Sequence, residues 1–465
     1  MTDSERSSSV PDGDGKTNRH NPHRNAVPKI VKAGLVLIAA VLLMTGILCL
    51  RERRSVTETY QHLATMKLPP TRTWTFAVSG DSRNCGDLVV PTIAADVSIH
   101  AAQFYWHLGD FRFIALVDED MQCGPAHEHQ RPAYEKHEWK DMRELLAYEK
   151  REWRKVQELF AYEKHAWEDF TQYQAQAFDR YNVPVFLGIG NHEMILHHDH
   201  EDFIRTFQDW LNPDTQLLET GKIDTYYHWM IGGVDFINLD NAGTALKEKD
   251  LSFSSDQLKW FQDQLAWDAK NADVKTVVVG MHAALPDSIS RSHSMNESKK
   301  GIASGKTAYL WLCDWQAQTH KHVYVLASHS HYYMEDIFNT AEWKREGKVL
   351  PGWIVGTAGA HRNPLPGGTA GWKNAKDART NVYGYLLGTV NPDGQSDGSI
   401  KFEFHEVKLD AVPSDVGARF HPGFVAWCFQ KNTDCADSDQ HCEQTAQANQ
   451  ANYDYTAGIS ALKCR

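Results

Sequence analysis

Short apolar runs, rich in β-branched and aromatic residues, recur along the chain and stop abruptly at small or charged residues. Ten of them read as strands: Trp74–Val78, Phe104–Leu108, Val183–Ile189, Tyr226–Ile231, Val234–Leu239, Val274–Met281, His322–Ala327, Trp353–Gly356, Tyr383–Val390 and Ile400–Leu409. The early ones alternate with helical stretches, and the later part is mostly strand. That order predicts an α/β domain with more than one sheet. One helix start is plain. In "SSDQLKWFQDQL", Ser254 and Gln257 stand at capping-box spacing, and Leu258, Phe261 and Leu265 follow on one face.

Two segments break the pattern. "AGLVLIAAVLLMTGILCL", residues 33–50, is apolar throughout and long enough to cross a bilayer as a helix. Its long leading tail, and the lack of a small-x-small cleavage site after it, favour an uncleaved anchor over a signal peptide. The second segment is a repeat. "AYEKHEWKDMRELL", "AYEKREWRKVQELF" and "AYEKHAWEDFTQYQ" begin at Ala133, Ala147 and Ala161, a period of two heptads. No Gly or Pro interrupts residues 133–182, which predicts one long helix. Trp139, Trp153 and Trp167 recur on one side, and a 3.5-residue apolar period suits a left-handed pairing. The helix either packs on its own domain or serves as a homodimerisation arm, a coiled coil. The expected organisation is a disordered tail (1–29), a transmembrane anchor (30–50), a stalk (51–71), a catalytic domain (72–410) carrying the helical insert (131–181), and a Cys-rich C-terminal tail (411–465).

Composition narrows the partners. The net charge of −12 argues against nucleic acid as a specific partner. Basic residues flank the apolar segment on both sides, so orientation rests on the leading tail staying in the cytoplasm. The protein is then a single-pass membrane protein with its catalytic domain extracytoplasmic, periplasmic or extracellular. Cysteine usage fits that side. Cys428, Cys435, Cys442 and Cys464 lie in the tail without a C-x-x-C pair, which favours disulfides over zinc. Cys85 and Cys123 are a further candidate pair, and Cys313 reads as a buried thiol. Connectivity stays open.

The candidate chemistry sits at the strand ends. "SGDSR" supplies Asp81; "HLGDFRF" supplies Asp110; "GIGNHE" supplies Asn191, His192 and Glu193; "VVVGMHAAL" supplies His282; "VLASHSHYY" supplies His329 and His331. Residues just past the carboxyl ends of strands converge on one crevice in an α/β sheet. Together they form a mixed oxygen and nitrogen ligand shell suited to Mn, Fe or Zn.

This series of motifs resembles the calcineurin-like metallophosphoesterases, which include the purple acid phosphatases. The family order is D-x-H, G-D-x-x, G-N-H-[D/E], H and G-H-x-H; here it reads D-S-R, G-D-F-R, G-N-H-E, G-M-H and S-H-S-H. The resemblance implies two mixed β-sheets packed face to face and flanked by helices. It implies a phosphoric ester hydrolase, a phosphatase or phosphodiesterase, with one or two divalent or trivalent metal ions and a phosphorylated substrate. Metal-bound hydroxide would be the attacking group. Asp110 would bridge two metals; Asn191, His282 and His329 would complete the second site; Asp81 and His331 would belong to the first. His192 would sit by the leaving group as proton donor, oriented by Glu193.

The first motif departs from the family. Its metal-binding His is Arg83 here, which offers only donors. Purple acid phosphatases place a Tyr three residues after the second-motif Asp; here that position is Phe113. Water or substrate fills the gap, another side chain does, or one metal alone binds. Arg83 is expected either to clamp the phosphate by paired N–H···O bonds or to bridge a structural carboxylate. His361, closing "GTAGAH", is a candidate at the substrate rim. The alternative function is a catalytically impaired relative that binds phosphorylated ligands or partners.

Overall fold

The computed structural model describes Leu68 and residues 72–114, 118–123, 165–195, 198–243, 250–366 and 372–431. The expected anchor, stalk and disordered tail, nearly all of the repeat, and Cys435, Cys442 and Cys464 lie outside the described residues. Among the described residues no helix is long and apolar enough to cross a membrane.

Twelve strands form two mixed sheets. The first contains β1 (Trp74–Ser79), β2 (Tyr105–His107), β3 (Val185–Leu187), β11 (Tyr383–Val390) and β12 (Ile400–Val407), in the order β12-β11-β1-β2-β3. The second contains β4 (Tyr227–Ile231), β5 (Val234–Asn238), β6 (Thr276–Met281), β7 (His322–Ala327), β8 (Tyr333–Glu335), β9 (Gly352–Val355) and β10 (Ala378–Arg379), in the order β10-β8-β9-β7-β6-β5-β4. Each sheet contains a parallel run: β1, β2 and β3 in one, β5, β6, β7 and β9 in the other. Every residue of β6 is buried, as a strand covered on both faces requires. β12 sits at an edge and alternates more exposed with more covered positions.

The two sheets meet through aromatic rings. Phe76 and Phe104 of the first lie edge-on to Phe236 of the second, with ring centroids 4.8 and 5.0 Å apart. Trp106 stands edge-on to Trp229 at 5.0 Å, and its indole N–H donates to Asn238 Oδ1 at 3.1 Å. Each such pair adds about 0.5–1.5 kcal/mol beyond area burial. Gly280 in β6 is required there, because a Cβ would overlap the Trp106 ring. The far face of the second sheet is covered by the helices Ser255–Lys270 and Lys299–Thr319. The first of these was expected, and Ser254 Oγ accepts from Gln257 N at 3.1 Å. The Gln257 side chain does not close the capping box; it bonds the backbone of Asp240 instead, through N–H and C=O. The second helix interrupts what the sequence suggested was mostly strand.

Two other differences concern helices. Gly86–Ile99 is helical despite Pro91. Proline has no N–H, so the Asp87 carbonyl loses its intrahelical donor. Arg419 supplies one from the C-terminal segment at 2.7 Å. At the end of the repeat, residues 165–173 are helical, but the helix stops there. Two short 3₁₀ turns, Ala175–Ala177 and Asp179–Tyr181, follow before a left-handed Asn182. The break lets Ala175 and Phe178 enter the core. Trp167 is also buried, against His198 and Phe207.

The candidate pair Cys85–Cys123 does not form: Cys85 is bonded to Cys428. The partner comes from the helix Pro422–Lys431, whose Phe424, Trp427 and Cys428 join the same core as the first sheet. Cys313 is a free, buried thiol, as expected. Because the bridge closes a loop spanning 343 residues, its loss should be felt globally. Cys428→Ser is expected to lower unfolding free energy by about 2–4 kcal/mol in denaturant titration. Reductant should destabilise the parent to the same extent and leave the variant unchanged.

Candidate metal centre

β1 and β2 are parallel neighbours in register, so their carboxyl ends place Asp81 and Asp110 side by side. Both residues, and His329 after β7, have a left-handed backbone, with φ of 60°, 59° and 63°. That conformation costs a non-glycine residue about 1–3 kcal/mol. The turns are fixed by backbone bonds: Asp81 N–H to Gly109 O and Ser82 N–H to Asp110 O, both 2.9 Å. The tight turns bend each side chain back over its strand end. Gly190 is needed opposite, since a Cβ there would collide with the Asp110 carboxylate.

The ligand atoms of Asp81, Asp110, His282 and His329 all lie within 4.8 Å of one another, and all four residues are buried. His282 Nε2 is 2.9 Å from His329 Nδ1, 3.0 Å from Asn191 Oδ1 and 3.3 Å from Asp110 Oδ1. Asp81 Oδ1 and Asp110 Oδ2 are buried and accept no hydrogen bond. Orphaned carboxylate oxygens facing converging imidazole and amide atoms are a donor set for a cation. Asp81, Asp110, Asn191, His282 and His329 therefore fit a metal ion.

Several atoms aim these ligands. His282 Nδ1 lies 3.0 Å from Leu108 O and 3.1 Å from Ser328 Oγ. Ser328, standing where the family has glycine, thus serves the site. Asn241 holds the loop after β6 by accepting from Ala283 N–H and donating to Ala283 O. Glu193 does not touch His192. Its carboxylate accepts from the backbone N–H groups of Gly190, Asp110 and Phe111, each at 2.8 Å. It orients the Asp110 turn, contrary to the expected part in orienting the imidazole. Burial and the Asp110 charge push its carboxyl up to about 8, against the pull of those donors.

Arg83 lies inside the site. Its Nη1 donates to His192 Nε2, and its Nη2 donates to His331 Nε2 at 2.9 Å. Guanidinium has no acceptor, so both imidazoles accept at Nε2. Their Nδ1–H groups donate to Phe113 O and His361 O, at 2.6 Å each. Burial, with Arg83 next, lowers His192 to about 4, and the same two causes lower His331. Burial works against ionisation of Asp110, but His282 and His192, with Arg83, hold its carboxyl well below the usual range. His282 itself is raised to about 9: burial opposes its charge and Asp110 outweighs that. The His361 side chain lies 3.5 Å from Glu119, so this residue enters the site through its carbonyl.

Behind the site, Arg112 is completely buried and donates to Asp87, Asp120 and Asp169. Asp169 comes from helix 165–173, so the end of the repeat is pinned to the loop that carries Asp110. The sequence showed no sign of this cluster beyond scattered aspartates.

Residues 105–333 match the family model for calcineurin-like phosphoesterases. Among solved structures, one titled "Structure of PhoD" is 12% identical, with a TM-score of 0.42, 83% of this chain and 78% of that chain covered. A dimetal phosphatase from Danio rerio is 11% identical, with a TM-score of 0.37, 72% of this chain and 96% of that chain covered. No curated protein matches the chain.

The Arg112 cluster gives stability a pH dependence. Burial pushes the Asp87 carboxyl up to about 7 against the pull of Arg112. A carboxyl raised on folding binds its proton more tightly in the folded state, so its contribution falls as pH climbs from about 4 to 7. Asp87→Asn is expected to remove that part of the fall. Relative to the parent, the variant should gain stability between pH 5 and pH 8 in parallel denaturant titrations.

Proposed function

We propose that the protein is a metal-dependent phosphoric ester hydrolase. The observation that carries this reading is the buried cluster of Asp81, Asp110, Asn191, His282 and His329, with carboxylate oxygens left without hydrogen bonds. Bound metal would supply Lewis acidity there, activating water and neutralising charge on a phosphoryl group. The chain's own residues do the rest. Asp81 and Asp110 would hold the cation, while Glu193 holds the Asp110 turn through backbone N–H groups. Arg83 faces the site with N–H donors that match phosphoryl oxygens.

His192 has a different part from the one its motif implied. Its Nε2 accepts from Arg83, so no proton stands at that atom for a leaving group. In this arrangement it positions the guanidinium, with Phe113 O fixing the ring. A role as proton donor requires Arg83 to let go when substrate arrives.

The setting is an extension of the same proposal. The domain works outside the cytoplasm, tethered through residues 30–50, with a phosphorylated molecule as its substrate. The Cys85–Cys428 bridge supports an oxidising compartment. Burial of Trp167 favours the packing role for the end of the insert over a dimerisation arm.

Purified protein supplied with Mn²⁺, Fe²⁺ or Zn²⁺ should hydrolyse an aryl phosphate. Asp110→Ala should lower turnover by at least roughly a hundredfold, a loss of the size seen when one charge-stabilising group is removed. Absence of metal-dependent turnover in the parent would leave the ligand-binding alternative in its place. A second measurement tests the insert: sedimentation with and without residues 133–160, which leaves Trp167, Asp169 and Phe170 in place, should give a monomer in both cases.

A further inference from the structure

Arg83 is only 9% exposed, and its guanidinium sits between two imidazoles that come from different sheets' strand ends. A neutral imidazole has one lone pair. In His331 it resides on Nε2, because Nδ1 carries the proton given to His361 O. Arg83 Nη2 takes that lone pair at 2.9 Å. Asp81 Oδ1 is 3.3 Å from the same nitrogen. A cation held by Asp81 and His331 together would need the lone pair that Arg83 already uses. Independently, His331 is not among the four residues of this centre, Asp81, Asp110, His282 and His329, whose ligand atoms all lie within 4.8 Å of one another.

Arg83 keeps donors in hand. Two of its five N–H groups are committed to histidines, and Nε is buried without a hydrogen-bond partner. Its plane packs over the Phe113 ring at 5.0 Å, which fixes the fork in place. A buried cation with an unused N–H edge, beside orphaned carboxylate oxygens, is complementary to an anion that also contacts a metal.

We propose that this chain binds a single metal ion, at Asp81, Asp110, Asn191, His282 and His329. Arg83 takes the place of a second ion: it occupies His331 and presents a fixed positive charge to the phosphoryl group. The inference rests on the metallophosphoesterase reading but is separable from it. Arginine cannot be stripped by a chelator, so half of the site's positive charge carriers are built into the chain.

The test is metal stoichiometry. The full chain, stripped with chelator and then titrated with Mn²⁺ or Zn²⁺, is assayed by calorimetry and by elemental analysis after desalting. One ion per chain is expected. Arg83→His frees the His331 lone pair and adds an imidazole two residues after Asp81, so two ions per chain are expected. Two ions in the parent would overturn the inference and leave the proposed function standing. No ion in the parent would overturn the metal centre itself. Should the histidine variant fail to fold, orthophosphate binding to the metal-loaded protein decides the second half. Arg83→Gln should weaken it roughly tenfold or more, the worth of a charge-assisted pair. Unchanged affinity would refute the clamp.

Discussion

Two carboxylates with no solvent exposure, Asp81 and Asp110, set the terms for the rest of this structure. Taking an ionised carboxylate out of water costs several kcal/mol unless positive charge and hydrogen bonds replace the solvent. The fold brings the compensation from five strand ends. His282 and His329 come from the second sheet, while Asn191, His192 and the Asp pair come from the first. Backbone N–H groups supply part of it, such as His329 N to Asp81 at 2.7 Å and His192 N to Asp110 at 3.0 Å. One oxygen of each carboxylate still accepts nothing. The unmet requirement points to a cation, and the aromatic layer between the sheets keeps the two halves of the shell at the right separation.

The parts legible in the sequence share a physical cause. A strand buried on both faces must be apolar, and a ligand at its end must be polar, so the boundary between them is abrupt. Val277–Met281 followed by His282, and Leu326–Ala327 followed by Ser328 and His329, show that boundary in the letters alone. The candidate residues that the structure brings together were therefore visible before any geometry. Some strands were drawn a residue or two too long, as at Phe104–Leu108, Val183–Ile189 and Ile400–Leu409, because an apolar residue beyond the last ladder bond reads as strand. β7 and β11 match, and β1 runs one residue farther than expected. β8 and β10 were missed since three and two residues give no usable period.

What stayed illegible depends on contacts distant in sequence. Pro91 argues against a helix on local grounds, and only Arg419, far along the chain, satisfies the carbonyl it exposes. The partner of Cys85 depends on where the helix Pro422–Lys431 docks, which spacing does not encode. The meaning of G-N-H-E was half readable. The motif located Glu193, but its three backbone acceptor contacts are a property of how two loops cross. For Arg83 the sequence left a clamp or a structural salt bridge, and neither included the two imidazoles it joins.

The described end of the repeat meets the domain at a sensitive point. Trp167 and Phe170 pack into the core, and Asp169 reaches Arg112 next to Phe111. Phe111 N–H is one of the three donors on Glu193, which in turn holds Asp110. A chain of direct contacts thus runs from the insert to the turn that carries Asp110. The described end of the repeat is therefore held by contacts local to residues 167–170, and these bear on the loop that carries Asp110.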